Sequence, residues 1–117
     1  MSAVSWNLRI TVNEGHLDAF RSLMEEMVAS TREEEGTLGY EWFLGDDGTA
    51  VHIHERYRDS AAAMVHMGNF GGKFAERFLS MITPQSIYVY GDASAELREA
   101  MVAFGAVHMA DFGGFSR

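Results

Sequence analysis

Five histidines are the residues best suited to move a proton or hold a metal in a chain that contains no cysteine. His52 and His54 stand two apart in the alternating segment Val-His-Ile-His-Glu-Arg-Tyr, so on a strand both rings leave the same face. Two such imidazoles could bind a metal or pass a proton. Without a third ligand nearby they make a poor metal shell, and a hydrogen-bonded pair on a polar sheet face accounts for them without any chemistry. His66 follows Ala62 by four residues and precedes Met67, Phe70 and Phe74, which on a helix places it among Met and Phe side chains at the mouth of a helix–sheet cavity. Desolvation there lowers an imidazole pKa, which suits a neutral general base. The plainer alternative is a partly exposed helical histidine bonded to a carbonyl. His16 and His108 have no comparable context.

Aromatic and methionine residues suggest what such a base would face. Tyr40, Trp42, Phe43, Phe70, Phe74 and Phe78 could line a flat pocket for an aromatic ligand, or could simply fill a core. Met64, Met67 and Met81 could form an adaptable wall beside them. No phosphate loop, dinucleotide fingerprint, EF-hand or paired-carboxylate spacing is present.

The elements that must position these groups are legible as periodicities. In residues 4–12, Val4, Trp6, Leu8, Ile10 and Val12 alternate with Ser5, Asn7, Arg9 and Thr11, the pattern of a strand. Asn13 is a candidate N-cap for a helix patterned by Leu17, Phe20, Leu23, Met24, Met27 and Val28. That helix fades in Arg32-Glu33-Glu34-Glu35, read as a solvated end, and stops at Gly36, which can turn left-handed. Thr37–Leu44 and Ala50–Tyr57 flank the turn signal Asp46-Asp47-Gly48 and read as a hairpin. Asp59 or Ser60 caps a helix over 61–67 that Gly68 breaks, and a second piece carries Phe70, Phe74, Phe78 and Ile82 as far as Pro84. Residues 86–90 make a fourth strand, 94–104 a last helix and 106–109 a short strand. The order βαββαβ plus an αβ extension gives an α+β antiparallel sheet with helices on one face, and the polar-apolar mix of its open face suits a sheet-to-sheet dimer.

Composition narrows the partners. With 117 residues, one domain is expected. Seventeen acidic residues against nine basic give a net charge of −8, which repels phosphate backbones and leaves no polybasic patch for a membrane. The N-terminal segment MSAVSWNLRI lacks the pattern of a signal peptide, so a cytoplasmic protein is expected.

Two segments carry a family likeness. Glu35-Gly36-Thr37-Leu38-Gly39-Tyr40-Glu41 resembles the helix-to-strand junction of the antibiotic biosynthesis monooxygenase (ABM) family, and His54-Glu55-Arg56-Tyr57-Arg58-Asp59-Ser60 with Ala62 and His66 resembles its next landmark. The similarity covers residues 4–91 and leaves 92–117 as a C-terminal extension that could cap the pocket or brace the dimer. The resemblance implies a ferredoxin-like fold whose sheets pair into a homodimeric α/β barrel. It further implies an enzyme that needs no cofactor and oxidises a quinol or related phenol with O₂. The rival readings are a ligand-binding or stress-responsive barrel without turnover and a small-molecule isomerase. His66 matches the family's pocket-facing helix histidine, with His54 as the lesser candidate for the base; Tyr40 and Glu55 match positions whose roles are more structural. Tyr40, Trp42, Met67, Phe70 and Phe74 are expected around the substrate, and no metal site is expected. Haem-degrading members differ: Asn7 is out of register for their strand asparagine, Met64 stands where their tryptophan belongs, and Phe74-Ala75-Glu76-Arg77-Phe78 lacks their histidine.

Overall fold

Alternation carries Val4–Val12 into a strand, β1, with Val4, Trp6, Ile10 and Val12 buried on one side. The computed structural model describes residues 3–117. Helix α1 spans Leu17–Arg32 and buries Phe20, Leu23, Met27 and Thr31. Its cap position is His16 rather than Asn13, because Gly15 at φ 81° inserts a turn between strand and helix. The Asn13 Oδ1 instead accepts from Thr83 Oγ1 at 2.7 Å.

Strands β2 (Thr37–Leu44) and β3 (Ala50–Tyr57) form the expected hairpin. Asp47 Oδ1 accepts from the Thr49 and Ala50 amides and so fixes the turn. Helix α2 runs Ser60–Lys73 straight through Gly68, where the sequence suggested a break. Each glycine costs a helix about 1 kcal/mol. The Asp59 cap on the Ala62 amide (2.8 Å) and the burial of Ala62, Ala63 and His66 offset that cost. Helix α3 (Ala75–Met81) follows Phe74, and β4 (Ile82–Tyr90) begins before Pro84 rather than after it. Pro84 lies opposite Ile10 where the β1–β4 register shifts, and such an irregularity tolerates a missing backbone N–H. Helix α4 (Ala95–Met101) starts at its Ser94 cap, passes into a 3-10 turn at Val102–Phe104, and leads to β5 (Val107–Met109).

The sheet order is β2-β3-β1-β4-β5. The four strands of the βαββαβ unit pair antiparallel as expected, and β5 of the extension joins β4 in parallel. The helices cover one face, giving the ferredoxin-like α+β architecture. On the open face Asn7 lies opposite His54 and Tyr88, and Arg9 opposite His52. Exposed Phe43 and Tyr90 flank that polar centre. Among the described residues no helix is long and apolar enough to cross a membrane.

Candidate functional site

A cavity of about 450 Å³ opens between the helix-covered face of the sheet and helices α2 and α3. Trp6, Leu8, Ile53, Phe70 and Phe78 supply apolar walls, while Tyr40, Glu55 and His66 are its principal polar groups. A space of this size lies within the ordinary range of small-molecule sites.

His66 occupies the buried side of α2, one turn beyond Ala62. Its Nδ1 lies 2.9 Å from Glu34 Oε1 and its Nε2 3.3 Å from Glu55 Oε1, with all three side chains nearly excluded from solvent. With a carboxyl oxygen facing each ring nitrogen, the arrangement favours the protonated imidazole over the neutral one. Burial is the largest single influence on His66 and pushes its pKa down, but Glu55 and Glu34 together outweigh it and the net shift is upward. That corrects the expectation of a lowered value: desolvation is present, and the two carboxylates reverse it. The Tyr57 hydroxyl donates to the same Glu55 Oε1 at 2.5 Å. Burial and the neighbouring Glu55 push the Tyr57 and Tyr40 hydroxyls above the ordinary phenol value, so both remain protonated donors.

Glu34 belongs to the site although its acidic run reads as a solvated helix end. The Thr37 hydroxyl (2.8 Å) and the Asn69 amide (3.0 Å) both donate to it. What brings it to His66 is Gly36, which is not left-handed. A Cβ on Gly36 would sit 2.5 Å from the Ala62 Cβ, so the missing side chain lets the segment after α1 lie directly on α2.

The expected site residues divide. His66, Tyr40, Met67 and Phe70 line the cavity. Trp42 instead packs between Phe20 and Phe78 and lines a separate groove of about 130 Å³ beside α1. Phe74 stands behind the wall under the Arg77 guanidinium. His54 is exposed on β3, on the opposite face of the sheet, with its ring 4.9 Å from Phe43. Strand alternation decides this, since His54 and Glu55 must leave opposite faces. Glu34, Tyr57 and Trp6 were not singled out for the site by the sequence. For Glu55, the alternation that buries Ile53 and Tyr57 was the available signal.

The raised His66 value means that the folded chain holds this proton more tightly than the unfolded chain does. Its contribution to stability is full below the ordinary imidazole value of about 6.5 and is lost as pH rises through the higher folded value. Urea unfolding of the wild type therefore moves to lower midpoints from neutral to mildly alkaline pH. A His66→Gln variant loses that component of the slope.

The fold and the cavity define a known class of protein. The family model described as antibiotic biosynthesis monooxygenase matches residues 4–71, and the chain belongs to that family. Rv0793 of Mycobacterium tuberculosis, which carries a provisional monooxygenase name, is 35% identical over 51 residues, spanning 44% of this chain and 50% of Rv0793. MupZ from Pseudomonas fluorescens superposes with a TM-score of 0.86 at 22% identity, covering 100% of this chain and 96% of MupZ. SnoaB from Streptomyces nogalater, described as a cofactor-independent oxygenase, gives a TM-score of 0.68 at 15% identity, covering 81% of this chain and 97% of SnoaB.

Proposed function

We propose that this chain is a cofactor-independent monooxygenase that oxidises a quinol or related phenol with O₂. The observation that carries this reading is the buried Glu55–His66 pair facing an apolar cavity of aromatic-ligand size. Glu34 and Glu55 face the two ring nitrogens of His66 in a setting nearly free of solvent. A phenol entering the cavity gives its proton to the pair, and the coupled groups share it. The resulting phenolate is electron-rich enough to reduce O₂. Carbon–oxygen bond formation at a free ring position, followed by loss of water, yields the quinone, with one oxygen atom retained and the other released as water. The hydrocarbon walls keep bulk water from the intermediate.

The same reading pairs two copies through the open sheet face, where Phe43 and Tyr90 would be covered. Family membership supports the class of chemistry, and the substrate is the reading advanced here.

Oxygen uptake with a panel of hydroquinones, naphthohydroquinones and phenols, corrected for autoxidation, tests the proposal. Wild-type uptake that falls by about 10²-fold or more in His66→Ala is the expected result. Absence of uptake with every member of the panel would contradict it, and turnover of a carbonyl substrate without uptake would point to an isomerase instead.

A further inference from the structure

We propose that Met101–Phe104, in the segment beyond the family match, sets the size of ligand the cavity accepts. The oxidation used to read it rests on the oxygenase reading above; the wall itself rests on separate observations.

The family match ends at residue 71, yet Met101, Ala103 and Phe104 all line the cavity. The segment that carries them is pinned at both ends. At its start the Ser94 amide donates to Ser60 Oγ at 2.9 Å, the Ser94 side chain caps the Leu97 amide, and Leu97 is wholly buried. At its end Gly105, left-handed at φ 68°, closes the 3-10 turn, and the Gly91 amide bonds the Met109 carbonyl at 3.0 Å. Between these anchors the turn is one-sided. Val102 is 73% exposed and does not line the cavity, Met101 is buried at its inner edge, and Phe104 is 43% exposed while still lining it. A short turn held at both ends fixes the distance between its side chains and the sheet, which is what a size filter requires.

A ligand whose hydroxyl meets the Glu55–His66 pair extends its rings along the apolar walls toward this turn, so the turn reads ring size.

Ala103→Trp adds an indole at an exposed position on the wall, Phe104→Ala removes a phenyl from it, and Val102→Ala changes the outward side of the same turn. The readout is kcat/KM for oxygen uptake with trimethylhydroquinone, naphthohydroquinone and 9-hydroxyanthracene, each of which keeps a ring position free for the incoming oxygen. In parallel, duroquinone, naphthoquinone and anthraquinone are titrated by isothermal calorimetry. The expected result is a fused-ring to single-ring ratio lowered about tenfold or more by Ala103→Trp, the scale on which apolar pockets discriminate by size. Phe104→Ala raises the anthracene to naphthalene ratio, and Val102→Ala leaves the ratios unchanged. Losses that are uniform across ring sizes, or ratios unmoved by Ala103→Trp, overturn the proposal. If no quinol turns over, the oxygenase reading fails by itself, and the titrations decide the wall by the same ratios of affinity.

Discussion

Replacing Glu55 by Gln lowers turnover of a phenolic substrate by about 10²–10⁴-fold, the range for loss of a positioned acid–base group. Gln keeps the shape of the side chain and removes the charge that holds the His66 proton from one side. It also makes neutral the group whose oxygen accepts from the Tyr57 hydroxyl and faces His66 Nε2. His66→Gln costs a comparable factor, and the double variant costs little more than either single one, because two groups sharing one proton act as a unit. Initial rates of oxygen uptake read all three. His54→Gln keeps the wild-type rate, since that ring lies beside Phe43 on the other side of the sheet. A Glu55→Gln enzyme of normal activity would remove the pair from the mechanism.

Leu97→Ala destabilises the fold by about 2–5 kcal/mol, the cost of deleting a fully buried leucine side chain. Leu97 is wholly buried in a cluster with Val4, Trp6, Tyr57 and Val89, so α4 packs on the residues that open the chain. Val4 pairs with Tyr57 across the β1–β3 ladder, which places that cluster beneath the Tyr57 hydroxyl bonded to Glu55. Urea unfolding at unchanged m reads the loss directly. A cost within about 0.5 kcal/mol, typical of surface sites, would show residues 92–117 to be an appendage on a self-sufficient domain.

The positions of the strands were legible because alternation is a local signal: Val51 to Tyr57 bury every second residue, and Val4 to Val12 do so except at Leu8, which is partly buried. Helix boundaries were less so. Gly68 carries a helix-breaking propensity, yet α2 continues because its Ala62–Ala63–His66 side is held by tertiary packing. Pro84 stands inside β4 because β1 shifts register opposite it, a fact recorded in the partner strand rather than in the proline. The parallel pairing of β5 depends on the path of α4, which no short-range pattern encodes. His66 could be singled out from its own neighbours, Met67 and Phe70. Glu34 could not, because its partner lies thirty-two residues away and the approach is set by Gly36 fitting against Ala62. Without Glu34 and the sheet face of Glu55, the His66 environment reads as purely desolvating, and the sign of its pKa shift comes out reversed. Trp42 and Phe74 have the side-chain chemistry expected around the cavity but are not in its lining, and residue type alone does not carry that geometry.

The Glu34–His66–Glu55 arrangement is tested most directly by nitrogen NMR of the histidine rings in the folded protein, titrated from mildly acidic to mildly alkaline pH, with and without naphthoquinone. Loss of the His66 proton only above the ordinary imidazole value of about 6.5, and resonances moved by the quinone while the shifts of His54 do not respond to it, are the results expected. A His66 ring that loses its proton at or below about 6.5, or one whose resonances ignore the ligand, would contradict the assignment of this cluster as the proton-handling wall of the cavity.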